Sequence, residues 1–327
     1  MQGFEDRWRD PRRDWRTPET VLSPSQFSRP RLQRIAQGAP EVFVRATGRP
    51  KTRRALADHL RYIARGGDLE LLGEDGRTLR GRDELEAVAN AWSFVAGRDA
   101  QGRETSPKAL SIVFGLPAGT DPEVVRQAAE AFVQRQFPAH AYWLALHTDR
   151  PHPHAHVVVR WLGALGTRLP SHLNAALEWR EGFAREVRRL GLAVEASPRW
   201  ARGVVRRSEA YAVRKLRERA QEGRGPGPKA DRHLVQMALE AVGSSAARPT
   251  EREIAAAKRQ WRVRRDYMQL AAVLSRSDRA DDQRLAGDLR RWVASMPEPL
   301  TPRLALIRQM QTMERQPPRA RDRNLAR

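Results

Sequence analysis

Four of the chain's eight histidines fall within ten residues, His147-Thr-Asp-Arg-Pro-His-Pro-His-Ala-His156, and the run leads directly into Val157-Val-Val159. In an extended strand alternate side chains share a face, so His154 and His156 form a pair of neighbouring imidazoles. Pro151 and Pro153 disfavour regular ladder pairing before them, and a strand is expected only from His154 onward. His147 ends a preceding apolar run, 141–147. The turn-like Thr148-Asp-Arg-Pro151 would fold it back beside the pair as a hairpin. Three imidazoles with coordination positions left open are what a catalytic divalent-metal site requires. Asp149 and His152 suit a supporting role, fixing ring tautomer and orientation. The plain alternative is a surface histidine cluster without chemistry. A metalloprotease is disfavoured, because there is no H-E-x-x-H helix.

The chain of 327 residues carries 60 Lys and Arg against 39 Asp and Glu, a net charge of +21. So large a surplus is the electrostatic footprint for a polyanion, with nucleic acid first. A metal in so basic a protein points to phosphoryl transfer, in which the metal draws charge from phosphate oxygens while a nucleophile attacks in line. There is no Cys, which excludes disulfides, Fe–S clusters, zinc fingers and thiol nucleophiles and fits a reducing cytoplasm. The hydroxyl that can stay joined to DNA as a stable ester is that of tyrosine. Four are present: Tyr62, Tyr142, Tyr211 and Tyr267. Tyr142 lies on the strand that leads to His147 and cannot easily fold over a metal there. Tyr211 and Tyr267 fall in a helical region. Tyr62, beside Arg61 and Arg65 near a helix end, is best placed to be packed against the histidines. An ordinary helix-edge tyrosine is the alternative.

The elements that must position these groups can be read around them. Residues 1–38 are rich in Arg, Asp, Pro and Ser and read as a mostly disordered basic arm. Residues 41–46 form a first strand, and Leu56, Leu60 and Ile63 give 52–65 helical periodicity, closed by Gly66-Gly67. A short apolar run at 69–72 ends in the turn-like Gly73-Glu-Asp-Gly76, and 83–96 is a second helix. Residues 108–114 form a strand, and Asp121 caps a helix that runs to about Phe137, with Pro122 at its first position. The histidine hairpin, 141–147 and 155–162, and a helix over 173–190 follow. This order predicts an α+β domain over residues 39–205, an antiparallel sheet carrying helices in a split βαβ, ferredoxin-like arrangement.

Beyond about residue 200 no strand is evident. Helices are expected over 208–221, from the Thr250-Glu-Arg-Glu253 capping box to about Ser275, over 279–295 and over 302–315. Gly223-Arg-Gly-Pro-Gly-Pro228 reads as a linker. The segment 201–327 holds 29 Lys and Arg against 15 Asp and Glu, so 206–327 is expected to be a basic helical region ending in an arginine-studded tail. No Walker A sequence and no dinucleotide glycine fingerprint occur. No apolar run approaches the ~20 residues of a membrane span, and the N-terminus has no secretory apolar segment, so no membrane insertion is expected.

Two stretches together resemble a known family. His147-Thr-Asp-Arg-Pro-His-Pro-His-Ala-His-Val-Val-Val159 is similar to the third motif of conjugative relaxases, the HUH endonucleases that nick plasmid transfer origins. The likeness is to the mobilisation-type branch that includes the relaxase nicking T-DNA borders. His59-Leu-Arg-Tyr-Ile-Ala-Arg-Gly-Gly-Asp-Leu-Glu-Leu71 resembles the first motif of that branch, and Ser111-Ile-Val-Phe-Gly-Leu-Pro-Ala-Gly119 the strand and turn between them. The resemblance covers roughly residues 40–205. It implies that Tyr62 is the nucleophile and that His147, His154 and His156 hold a divalent metal, Mg2+ or Mn2+. Asp149 and His152 would act in support. Pro151 stands where the branch commonly has an acidic residue.

The expected function is therefore a DNA relaxase acting on single-stranded or melted DNA at a transfer origin, with Arg61, Arg65, Arg150 and Arg160 contacting the strand. Accessory DNA-binding proteins and a type IV coupling protein are the implied partners. The implied setting is the bacterial cytoplasm, with the protein translocated while bound to DNA. No helicase motif follows, so unwinding is expected to need another protein. The rivals are a non-catalytic DNA-binding accessory protein with a degenerate relaxase fold, and an HUH nuclease of replication or transposition.

Overall fold

The computed structural model describes residues 27–93, 106–164, 166–169, 175–197, 199–203, 211–242, 244 and 247–315. The chain divides into two compact units, Gly38–Ser197 and a second formed by Met1–Gln37 with Pro198–Arg327.

In the first unit six strands form one antiparallel sheet: β1 (Phe43–Gly48), β2 (Leu71–Gly73), β3 (Thr78–Leu79), β4 (Ala109–Gly115), β5 (Tyr142–His147) and β6 (His154–Arg160), in the order β1-β4-β6-β5-β2-β3. β4 and β5 both run antiparallel to β6, which lies between them. Together with α4 (Pro122–Gln136) they make the split βαβ unit that the sequence predicts. Asp121 caps α4 by accepting from the Glu123 N–H at 2.9 Å.

Strand alternation sorts the side chains into two cores. Tyr142, Leu144, Ala155, Val157 and Val159 face one way, onto α4 and α5 (Ala175–Arg189), with Phe132, Val133, Phe183 and Val187. Trp143, Ala145 and Val158 face the other way, onto α2 (Arg53–Ile63) and α3 (Arg82–Ser93), with Leu56, Leu60, Ile63, Leu85 and Ala89. The result is a three-layer α+β unit with helices on both faces of the sheet. His147, His154 and His156 share parity with the second set, so they lie on the α2 side.

α2 is held at its start by Thr52, whose hydroxyl accepts from the Ala55 N–H at 3.1 Å. It ends because the backbone turns left-handed at Arg65 (φ 54°), Gly66 (φ 82°) and Gly67 (φ 109°). At Gly67 a Cβ would also stand 3.1 Å from the Gly81 backbone. Gly67→Ala is expected to destabilise this unit by about 1–2 kcal/mol or more, from the left-handed penalty alone, with lowered activity because the end of α2 moves. An unchanged melting temperature would contradict this account of the turn.

In the second unit the described residues form helices and no strand: α1 (Arg29–Ala36), α6 (Tyr211–Gln221), α7 (Lys229–Ala241), α8 (Glu251–Leu274), α9 (Ala280–Ser295) and α10 (Pro302–Arg315). Its larger core gathers Leu32, Ile35, Val263, Tyr267, Ala271, Leu285 and Leu289. Within the stretch read as a disordered arm, residues 29–36 are helical, a correction to that reading. Leu32 and Ile35, three apart, bury fully, and Arg29 reaches Asp282 at 2.8 Å. Residues 1–26 lie outside the described residues. Thr250 and Glu253 form the reciprocal capping box that opens α8. Helix α7, absent from the sequence reading, begins directly after the Gly-Pro linker. Among the described residues no helix is long and apolar enough to cross a membrane.

Candidate active site

The β5–β6 hairpin pairs His147 directly with His154, and Ala145 with His156. Alternation therefore sets three imidazoles on one face at one end of the sheet. Their ring centroids are 4.5 Å (His147–His156), 5.1 Å (His147–His154) and 5.2 Å (His154–His156) apart. One nitrogen from each lies within 4.8 Å of the others, a group able to hold a metal ion.

Hydrogen-bond chemistry fixes two of the tautomers. The Nε2 of His147, which is buried, lies 2.8 Å from the Ile63 carbonyl. A carbonyl only accepts, so Nε2 carries the proton. The guanidinium of Arg65 lies 3.3 Å from Nδ1, and that nitrogen presents the lone pair. His154 Nδ1 donates to the His152 carbonyl at 3.1 Å, leaving Nε2 as its free lone pair. Burial, with the neighbouring imidazoles adding to it, pushes His156 down to about 2. Desolvation likewise lowers His147 and His154. Neutral imidazoles are the form that binds a metal; Nε2 of His154 is free to do so, while Nδ1 of His147 would exchange its bond from Arg65 for a divalent cation.

Ile63 is the last residue of α2, where helix carbonyls lack intrahelical partners. Its bond to His147 ties the end of α2 to the histidine face. Tyr62 is one residue back. The apolar stripe of α2 (Leu56, Leu60, Ile63) is buried, which turns Tyr62 outward, 58% exposed. Its ring nonetheless meets His156 edge-on, with centroids 6.2 Å apart.

The other described tyrosines are engaged elsewhere. Tyr142 is buried on the opposite face of the sheet, its hydroxyl accepting from Gln134 at 3.1 Å. Tyr267 is fully buried in the helical unit and donates to the Ala201 carbonyl at 2.9 Å. The side chain of Tyr211 lies outside the described residues.

Asp149 forms an ion pair with Arg65 at 2.6 Å, both groups half-exposed. Partial burial opposes its charge, but Arg65 outweighs this and holds the carboxyl below the usual range. In this geometry Asp149 is Arg65's partner, and Arg65 in turn touches His147. That network accounts for a non-glycine residue in the left-handed region, a conformation that costs on the order of 1 kcal/mol. The ring of His152 is exposed, and its carbonyl is the group that orients His154.

Arg61 directs its guanidinium to Asp58 at 2.9 Å and Glu86 at 2.7 Å, so it is committed within the fold. Arg150 acts electrostatically on His154. Arg160 stands at the far end of β6, paired with Ala109, away from the histidines.

One site residue escaped the sequence reading. His59, one turn before Tyr62 on α2, stacks on the Tyr62 ring with centroids 6.3 Å apart. Its Nε2 is buried with no hydrogen-bond partner, and its charge acts on His156. The three-residue spacing to Tyr62 was the available signal. Burial pushes His59 down to about 4. The folded form therefore resists protonation, and its stability is fully present above the ordinary value near 6.5 and lost as pH falls toward 4. A shift of this size corresponds to at most about 3 kcal/mol. In EDTA, the three metal-site histidines add in the same direction. His59→Phe is expected to flatten the decline of melting temperature between pH 6.5 and 4. An unchanged decline would show that His59 is not charged on unfolding in this range.

Residues 74–191 match the relaxase family described as MobA/VirD2-like, nuclease domain. The chain is 30% identical over 201 residues to the T-DNA border endonuclease VirD2 of Rhizobium radiobacter, a match covering 55% of this chain and 47% of that protein. It is 31% identical over 204 residues to the VirD2 of Agrobacterium fabrum, covering 55% and 45%. The chain thus spans about half the length of these curated relatives. A solved structure titled "Molecular Basis of Vancomycin Resistance Transfer in Staphylococcus aureus" covers 48% of this chain and 99% of its own at 15% identity, with a TM-score of 0.32, too slight to carry an argument. The family match over residues 74–191 and the two VirD2 relatives together liken this part of the chain to the nuclease domain of MobA/VirD2-like relaxases.

Proposed function

We propose that this protein nicks one DNA strand at a transfer origin by transesterification onto Tyr62. The observation that carries the reading is the pairing of an exposed tyrosine with the three-imidazole cluster, in a MobA/VirD2-like domain. Tyr62 Oη attacks the scissile phosphorus. The bond from phosphorus to the 3′ oxygen breaks, and the phenolic proton passes overall to that oxygen. The products are a free 3′-hydroxyl and a 5′-phosphotyrosine. One ester replaces another, so the reverse attack rejoins the strand.

His147, His154 and His156 would hold the cation, His154 through Nε2 and His147 through Nδ1 in exchange for its bond from Arg65. When bound it supplies positive charge opposite the scissile phosphate's oxygens. Either Mg2+ or Mn2+ fits this reading, and an all-nitrogen donor set favours Mn2+, because Mg2+ prefers oxygen ligands. Arg65 and Asp149 position His147, and the His152 carbonyl positions His154. Arg65 pairs with Asp149 and lowers its basicity, so as proton acceptor for Tyr62 this carboxylate would be a weak base. Arg150, a cation of the hairpin turn that acts on His154, is assigned to the strand.

In this reading the protein works in a bacterial cytoplasm and leaves it joined to the strand. Accessory DNA-binding proteins and a type IV coupling protein would take part. The arginine-studded tail motivates the last partner. Deleting residues 316–327 is expected to lower transfer in a mating assay while leaving nicking in vitro intact, and equal losses in both would remove the tail from transfer.

The function itself is tested by incubating the protein and Mn2+ with end-labelled oligonucleotides tiled across the mobile element. An SDS-resistant adduct on one strand supports it. Binding without any adduct would favour a non-catalytic DNA-binding protein.

A further inference from the structure

A second basic feature lies at the other end of the sheet. A shallow cleft open to solvent is lined by Trp92, Ser106, Pro107, Lys108, Arg160, Trp161, Leu162 and Arg168. It forms where β4 begins and β6 ends, since Ala109 pairs with Arg160 there and Gly115 pairs with His154 at the histidine end. Arg160 lies six residue steps along β6 from His154, which at the strand rise is roughly 20 Å. The Trp161 N–H donates to the Lys108 carbonyl at 2.9 Å, and the Leu169 N–H returns to the Trp161 carbonyl at 3.1 Å, so the loop carrying Arg168 is fixed to the cleft wall.

The chemistry of the lining is one-sided. Among the described residues it holds three cations, Lys108, Arg160 and Arg168, and no carboxylate. Lys108 is 1% exposed, its ammonium 3.4 Å from the Ser93 carbonyl. Glu74 acts electrostatically on Arg160 but does not line the cleft. Arg49 adds a fourth cation, 5.4 Å from the centroid of the Trp161 ring. Trp92 and Trp161 are both 7% exposed, so they form walls and cannot serve as stacking platforms for bases. A compact anion suits this cleft better than a base does.

We propose that the cleft lined by Lys108, Arg160 and Arg168 holds a backbone phosphate of the DNA strand engaged at the histidine site. The inference rests on the DNA reading above and adds to it a fixed anchor some 20 Å from the histidines. Phosphate contacts of this kind set the register of a strand without reading its sequence. The subsite therefore contributes to affinity and positioning for any sequence. It also gives Arg160 its role, at a place distant from the chemistry.

The test is anisotropy with the full chain and a fluorescein-labelled thymidine dodecamer, measured across a salt series. Arg168 is exposed, so Arg168→Ala and Arg168→Glu are expected to fold. The expected result is a loss of about five-fold for Arg168→Ala and a larger one for Arg168→Glu. The slope of log affinity against log salt should flatten by about 0.7, the value of one single-strand phosphate contact. Arg224→Ala, an exposed cation of the helical unit, sets the effect of losing surface charge alone. Arg168→Ala behaving like Arg224→Ala overturns the subsite while leaving the DNA reading intact. Failure of the unaltered protein to bind the dodecamer overturns both. In a separate arm, inorganic phosphate alone is titrated and followed by tryptophan fluorescence. Weak, unsaturable response is expected. Saturation at micromolar concentration, abolished by Arg168→Glu, would assign the cleft to a free anion and overturn the DNA assignment.

Discussion

Tyr62→Phe is expected to abolish the SDS-resistant protein–DNA adduct, with cleavage lowered on the order of 10⁴-fold or more, the scale on which covalent enzymes lose rate without their nucleophile. Affinity for single-stranded DNA should be little changed. The ring that packs edge-on to His156 and stacks on His59 is kept, and only the hydroxyl is removed. Folding is not at risk, because Tyr62 is exposed and outside the buried stripe of α2. Phe at Tyr142 or Tyr267 should leave the adduct intact, although each loses a buried hydrogen bond and some stability. Retention of the adduct in Tyr62→Phe would move the nucleophile elsewhere, with Tyr211 next in line.

The second large effect concerns the cation. EDTA should stop cleavage, and Mn2+ should restore it at lower concentration than Mg2+, following the nitrogen donor set. His156→Ala should cost about 10³-fold at limiting metal, in line with the several kcal/mol that a bound cation contributes at a phosphoryl centre. His156 is the most deeply depressed of the three imidazoles, through burial first and the neighbouring rings second. Its loss also leaves His147 and His154 as a two-nitrogen site. Arg65→Ala should act more weakly. It frees Asp149 and loosens His147 without removing a ligand, so raised metal would recover much of its activity. Full activity of His156→Ala in EDTA would refute a metal role for the cluster.

What could be read from the sequence followed local rules. Alternation along Ala155–Val159 and the turn before it placed His147, His154 and His156 together, because a two-residue period needs no tertiary knowledge. The Thr250–Glu253 capping box and the Asp121 cap were legible for the same reason. The split βαβ order followed from the succession of strands and helices. Long-range choices were not legible. Spacing put Tyr62 ahead of the other three tyrosines, and only packing reveals that Tyr142 and Tyr267 have buried hydroxyls. Arg61 and Arg65 read as DNA contacts beside Tyr62. Their pairing with acids distant in sequence, Glu86 for Arg61 and Asp149 for Arg65, is seen only in the fold. Helix α1 was hidden because two apolar residues, Leu32 and Ile35, are few among arginines, and their burial partners lie over 200 residues away. His59 looked like one turn of an ordinary helix until Tyr62 was seen stacked on it.

The central claim is that the DNA becomes joined to Tyr62, and peptide mapping of the trapped adduct tests it most directly. Trypsin cuts after Arg61 and Arg65, so the covalently attached nucleotide should be recovered on the peptide Tyr62-Ile-Ala-Arg65 through a 5′-phosphate, with the other cleavage product ending in a free 3′-hydroxyl. Recovery of the nucleotide on any other peptide, or attachment through a 3′-phosphate, would contradict the assignment.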